Sequence, residues 1–143
     1  NNYISKLENK YLELANKYNL RGIHLNRRSH TIPKDFKGSM SMSCHSLEEV
    51  DIKKDMADYV FLSPIFNSIS KSGYNSAFSK EELHNAMKQG TIDHKVIALG
   101  GVSAANIDTV KDLGFGGAAL LGDIWDRTES PDFDKHIKAI IER

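Results

Sequence analysis

Lys95-Val96-Ile97-Ala98-Leu99-Gly100-Gly101-Val102-Ser103 is the stretch that decides how this chain folds. Val96 to Leu99 is a short apolar run of the kind that makes a buried strand. It stops at two glycines, and Ser103 follows as the N-cap of a helix predicted to begin at Ala104. A strand running through two glycines into a helix start can hold an anion. Glycine lets the backbone approach a ligand, and the first helical N–H groups have no partners inside the helix. The same residues serve equally as a plain tight turn, so their neighbours must decide.

Downstream, the helix from Ala104 to Leu113 closes at Gly114, and Ala118 to Leu121 reads as another strand. After a loop from Gly122 to Glu129, Ser130-Pro131 supplies an N-cap and a first turn. The final helix sets Phe133, Ile137, Ile140 and Ile141 on one stripe. Upstream, Ser79-Lys80-Glu81-Glu82 is a capping box for a helix ending at Gly90. Tyr59 to Leu62 is a compact strand followed by a loop from Ser63 to Ala77. Ser46-Leu47-Glu48-Glu49 is a second capping box, for a helix reaching about Met56. Ser39 to Ser43 alternates Ser and Met, the period of a strand. In Gly22-Ile23-His24-Leu25, Ile23 and Leu25 face one side, with His24 and Asn26 on the other. Arg27 to Lys37 is polar and too short for a long crossover helix. Leu7, Tyr11, Leu14 and Tyr18 mark a helix over about residues 6–18, with Asn19 as a left-handed cap; residues 1–5 read as a frayed end or the tail of a strand.

Strands alternating with helices give parallel β/α units. With no linker, low-complexity tract or repeat of identical sequence, residues 1–143 are expected to form one domain. An open doubly wound sheet fits the strand count. The candidate chemistry follows several successive strands, at one shared C-terminal face, and this favours a barrel-type winding. The expected class is α/β, of the TIM-type (β/α)8 barrel family, here a partial barrel of about five parallel strands. Unpaired edges on the 22–25 and 118–121 sides would favour a homo-oligomer.

Lys plus Arg balances Asp plus Glu at 19 each, so no basic face points to nucleic acid. No apolar run is long enough to span a membrane. The single cysteine, Cys44, cannot form an internal disulfide and favours a reducing compartment, and no charged-then-apolar leader is visible. A cytoplasmic location is expected.

Three loops after strands gather ligand-type groups. The Ser63 to Gly73 loop carries hydroxyls and the Lys71 ammonium, which could wrap a phosphate or simply be solvated. Gly100 and Gly101 follow Leu99, and Gly122 and Asp123 follow Leu121. In barrels, phosphate commonly sits between the last two strand-ending loops and a nearby helix N-terminus. His24 and His45 lie near strand ends as acid/base candidates or as structural histidines. Cys44 beside His45 makes a poor nucleophile pair, because adjacent strand residues face opposite ways. No pair of His, Cys, Asp or Glu has metal-ligand spacing.

Several of these segments also occur together, in order and at matching spacing, in one known family. They are Gly22-Ile23-His24-Leu25, Ser43-Cys44-His45-Ser46-Leu47-Glu48-Glu49, Asp58 to Phe66, Ser68-Ile69-Ser70-Lys71, Ala98 to Val102 and Gly114 to Ala118. In these the chain resembles the thiamine phosphate synthase family, including its thiazole tautomerase (TenI-like) branch. The resemblance implies a (β/α)8 barrel and the coupling of hydroxymethylpyrimidine pyrophosphate to thiazole phosphate, giving thiamine phosphate and pyrophosphate. It places Ser68, Ser70 and Lys71 in a loop where Lys71 stabilises the departing pyrophosphate, with a hydroxyl added by Ser43. Gly100 and Gly101, with the backbone of Gly122 and Asp123, would hold the thiazole phosphate.

The departures are equally specific. Matching the five strands to the family's last five leaves out its first strands and the Gln-x-Arg-x-Lys arm that grips the pyrimidine. Mg²⁺ is the cofactor the resemblance implies. Asn9 sits at the family's Asn of an Asn-Asp pair, but Lys10 and Ser29 replace the metal carboxylates. Asp123 stands where the family has a small neutral residue, and would repel a phosphate unless it turns away. Pro64 occupies the place of the histidine tied to the tautomerase chemistry. Two alternatives therefore stand beside the synthase: a metal-independent isomerase using His45 or His24, and a non-catalytic binder of thiamine or thiazole phosphate.

Overall fold

The structure, a computed structural model, describes residues 2–26, 36–67 and 76–143, and for residues 2–9 the backbone alone. Helix α1 (Asn2–Lys17) leads into strand β1 (Gly22–Leu25), and β2 (Ser39–Cys44) leads to α2 (Leu47–Lys53). Then come β3 (Tyr59–Leu62), α3 (Lys80–Gln89), β4 (Val96–Leu99), α4 (Ile107–Asp112) and β5 (Gly117–Ala119). A one-turn helix α5 (Gly122–Trp125) and α6 (Phe133–Ile141) complete the described chain.

All five strands are parallel and pair in chain order, β1-β2-β3-β4-β5. That order separates the two expected windings. A doubly wound sheet reverses direction at a switch point, whereas here each new strand is added on the same side as the last. With right-handed crossovers, one direction of travel sends every crossover helix to the same face, which is the winding of a (β/α) barrel. Strands β1 and β5 are the two edges of the sheet.

The period of two assigns each face its chemistry. Cys44, Val60, Leu62, Val96 and Ala98 pack with Val50 of α2, Leu83 and Ala86 of α3, and Val110 and Leu113 near α4. This helix-covered face is the core, and Val60, Leu62 and Val96 have no exposed surface. The opposite face carries His24, Ser41, Ser43, Tyr59 and Phe61. There the His24 and Phe61 rings meet edge to face at 5.6 Å, and those of Tyr59 and Phe61 at 5.5 Å.

Local signals hold where side-chain chemistry closes an element. Ser79 and Glu82 form a complete capping box, and Gly90 ends α3 in a left-handed conformation. Asn19, at φ 50°, ends the first helix as expected. That helix takes in residues 2–5, which are neither frayed nor strand. At Ser46 only half of the box forms: its hydroxyl accepts from the Glu49 N–H, but Glu49 Oε2 accepts from the His45 N–H. Helix α2 stops at Lys53, short of Met56.

The largest departures follow β4 and β5. Helix α4 begins at Ile107 and not Ala104, because Ser103 to Asn106 closes as a separate turn. The Asn106 amide oxygen accepts from the Ser103 N–H at 2.9 Å, and Ser103 Oγ accepts from the Ala105 N–H at 3.3 Å. Strand β5 spans Gly117–Ala119, not 118–121, and the loop after it holds α5, whose Trp125 N–H returns to the Leu121 carbonyl. Helix α6 starts at Phe133, with Ser130 closing the turn before it. Among the described residues, no helix is long and apolar enough to cross a membrane.

Candidate functional site

Because the strands are parallel, their C-terminal ends share one edge of the sheet. The loops that meet there are those after Leu25, Cys44, Leu62, Leu99 and Ala119. Gly100 and Gly101 have φ of +92° and +66°. Their lack of side chains is used first by the protein itself. A Cβ on Gly100 would lie 2.9 Å from Pro64 Cα, and one on Gly101 would collide with the Asn67 carbonyl oxygen and lie 2.8 Å from Phe66. The Ile65 and Phe66 N–H groups donate to the Leu99 and Gly100 carbonyls at 3.0 Å. The glycine pair is thus the seat on which the loop after β3 rests.

That loop is also pinned at its far end. Ser76 donates through Oγ to the Ile65 carbonyl at 2.8 Å, and its N–H donates to Asn67 Oδ1 at 2.8 Å. Asn67 and Ser76 are therefore neighbours. Ser68, Ser70 and Lys71, the expected phosphate-wrapping residues, lie outside the described residues, as do Arg27, Arg28 and Ser29. Asn9 lies on α1, and only its backbone is described.

Asp123 opens α5 and is 7 % exposed. Its carboxylate turns into the protein. Oδ2 accepts from the Ala104 N–H at 3.0 Å and from His136 Nε2 at 2.8 Å, while the Arg127 Nε lies 3.4 Å from Oδ1. Burial alone would raise its pKa, but the Ala104 N–H, His136 and Arg127 outweigh burial and hold the carboxyl below the usual aspartate range. The Ser103 and Ala104 N–H groups are therefore met by the chain's own groups, Asn106 and Asp123. Arg127, four residues on, is a pairing the sequence spacing advertises. His136, thirteen residues on and in another helix, has no such signal.

At the other side of the same edge the polar groups are side chains. His24 Nδ1 lies 2.9 Å from Ser41 Oγ, and Nε2 lies 2.8 Å from Ser43 Oγ. Partial burial of the ring lowers the His24 pKa. His45 is exposed and its Nδ1 is 3.1 Å from the Ser63 carbonyl, tying the end of β2 to the end of β3. Lys53 donates to the Ser43 carbonyl at 2.9 Å and pairs with Glu49 at 3.1 Å. Cys44 faces the core, fully buried, with burial pushing its thiol up to about 11, so it is not a nucleophile at neutral pH. Ser41 is the member of this set that the sequence reading passed over, although its alternation with Ser43 puts both on the face of His24.

Among the described residues, no three of His, Cys, Asp and Glu converge as a metal site. Lys10, at one family carboxylate position, is exposed. These residues do not fit a Mg²⁺ cage, which takes oxygen ligands. A cavity of about 670 Å³ lies between the end of α1 and the segment before β2, lined by Asn19, Arg21, Phe36 and Lys37. It opens at the N-terminal ends of the strands, away from these groups.

A family model described as thiamine monophosphate synthase matches residues 7–124, which include all five strands. A thiamine-phosphate synthase of Dictyoglomus turgidum is 29 % identical over 139 residues, covering 93 % of this chain and 60 % of that protein. One from Lysinibacillus sphaericus is 28 % identical over 140 residues, covering 94 % and 64 %. Among solved structures, a thiamine phosphate pyrophosphorylase from Bacteroides thetaiotaomicron superposes with a TM-score of 0.70 at 44 % identity, over 92 % of this chain and 61 % of that one. The corresponding Pyrococcus furiosus protein shares the fold, at a TM-score of 0.66, 20 % identity and coverages of 92 % and 62 %. The chain thus spans about three fifths of the length of these relatives.

Proposed function

This chain belongs to the thiamine monophosphate synthase family, and on that premise we propose that it is the phosphate-handling part of a thiamine phosphate synthase. In this reading hydroxymethylpyrimidine pyrophosphate and thiazole phosphate are its substrates. The bond between the pyrimidine methylene carbon and pyrophosphate breaks, the thiazole nitrogen takes that carbon, and thiamine phosphate and pyrophosphate leave. The observation that carries the reading is the placement of Ser43, Gly101 and Gly122 at the C-terminal ends of β2, β4 and β5, on one edge of a sheet matched throughout to the family.

Each residue has a distinct task in this proposal. Lys71, with Ser68 and Ser70, would stabilise the leaving pyrophosphate, and Ser43 would add a hydroxyl. Charge accumulates there as the carbon–oxygen bond opens, so fixed donors act most strongly on the transition state. The N–H groups of Gly101, Gly122 and Asp123 hold the thiazole phosphate at the start of α5. The inward turn of the Asp123 carboxylate supports that role, since its charge is met by Ala104, His136 and Arg127. No step is assigned to Mg²⁺. We place the protein in the cytoplasm on the reduced state expected of Cys44, and as a homo-oligomer through the edges β1 and β5.

The decisive experiment supplies both substrates with and without Mg²⁺ and follows thiamine phosphate. Its formation, reduced strongly by Lys71→Ala, is the expected result. Saturable thiamine phosphate binding with no turnover would replace the synthase by a non-catalytic binder. Metal-free isomerisation of a thiazole phosphate, lost in His45→Ala and kept in His24→Ala, would replace it by the tautomerase branch.

A further inference from the structure

The His24 imidazole is held between two hydroxyls of the next strand, Ser41 on Nδ1 and Ser43 on Nε2. The partial burial that lowers its pKa keeps the ring neutral at neutral pH. A neutral imidazole has one donor and one acceptor, so only two arrangements satisfy it. In one, Nδ1–H donates to Ser41 and Nε2 accepts the hydroxyl hydrogen of Ser43. In the other, Ser41 donates to Nδ1, and Nε2–H donates to Ser43.

Burial separates the two. Ser41 is 3 % exposed, and His24 Nδ1 is its hydroxyl's hydrogen-bond partner among the described residues. If Nδ1 carried the hydrogen, the Ser41 hydroxyl hydrogen would be buried without an acceptor among the described residues. The second arrangement leaves no such orphan. It has a consequence at its other end. Ser43 receives a hydrogen bond from His24, so its own hydrogen is free to be given away. Each bond in such a row polarises the next.

We propose that Ser41 and His24 are positioning residues that fix Ser43 as a hydrogen-bond donor to an anionic phosphate or pyrophosphate oxygen at the C-terminal edge of the sheet. The identity of the ligand rests on the synthase reading; the direction of the relay does not. Neither positioning residue needs to touch the ligand.

The test combines nitrogen-resolved imidazole spectra of the ¹⁵N-labelled chain at pH 8 with titration by inorganic pyrophosphate. The expected spectrum has His24 protonated on Nε2 and bare on Nδ1. Ser43→Ala should weaken pyrophosphate binding about tenfold, the loss of one hydrogen bond to a charged group. Ser41→Ala should turn the spectrum into a mixture of tautomers and weaken binding about twofold, since about half the molecules remain competent. Ser41→Thr should restore both. An Nδ1–H tautomer in the parent chain overturns the proposal, and needs no variant to fold. Absence of pyrophosphate binding by the parent chain, or a Ser43→Ala variant that binds equally well, overturns the donor role. The expected tautomer and binding losses, with no thiamine phosphate made, would uphold the relay and remove the synthase reading alone.

Discussion

The two sides of the sheet's C-terminal edge use polar groups in opposite ways. After β4 and β5 the chain spends them on itself: Asn106 and Asp123 meet the N–H groups of Ser103 and Ala104, and the glycines seat residues 64–67. What remains for a ligand there is backbone. At the ends of β1 and β2, the hydroxyl and imidazole side chains of Ser43 and His24 stand on the face away from the packed core. Changes on the first side should therefore act on stability, and changes on the second on binding.

The largest effect is expected at Gly101. An alanine there must hold a φ of +66° and displace the Asn67 carbonyl, which is backbone and cannot swing aside. Strain and overpacking together should cost about 3 kcal/mol. Denaturant unfolding measures it, and a loss below about 1 kcal/mol would mean that the loop after β3 does not depend on this seat.

Asp123 comes next. Asp123→Asn removes the charge that holds His136 and Arg127 and should cost about 2 kcal/mol at pH 7. The folded pKa lies below the ordinary value, so the stabilisation is present above about pH 4 and is lost as pH falls through the folded pKa. Unfolding curves of parent and variant should therefore converge once the pH falls below the folded pKa. A gap that persists in acid would trace the effect to shape and not to charge.

Legibility followed the range of the interaction. The five strands and the face of His24 were readable because a period of two, a capping box and a closing glycine are local; the winding was readable only from ligand-type groups recurring after successive strands. The start of α4 was not. Ser103 has every mark of an N-cap, and it forms instead a turn fixed by Asn106 and by a carboxylate twenty residues away in the chain's next β/α unit, a distance of about that order being invisible to local patterns. The short α5 was hidden for the same reason, its turn being fixed by Asp123 contacts to α6 and to Ala104. Gly100-Gly101 was readable as a place of close approach; that the approaching group is the chain itself is a tertiary fact.

Ser43→Ala sharpens the contrast from the other side. Its hydroxyl bonds only to His24 among the described residues, at an accessible position, so stability should change by less than about 1 kcal/mol while pyrophosphate affinity falls about tenfold. Unfolding and binding measured on one preparation read both. A stability loss comparable to that of Asp123→Asn would erase the distinction between the two sides.

The smallest effect is expected at His45, and it sets the boundary of the binding side. This imidazole is exposed and spends Nδ1 on the Ser63 carbonyl, a solvent-accessible hydrogen bond worth about 0.5–1 kcal/mol. It sits two residues beyond Ser43, past the end of β2, and its ring is turned to the Ser63 carbonyl at the end of β3 and not to His24 or Ser43. His45→Ala should therefore lower stability by less than about 1 kcal/mol and leave pyrophosphate affinity within about twofold. A tenfold loss would bring the β2–β3 tie into contact with the ligand and widen the side-chain-built half of the edge to the loop after β3. That is the loop seated on Gly100 and Gly101, so the two sides would then meet in one site.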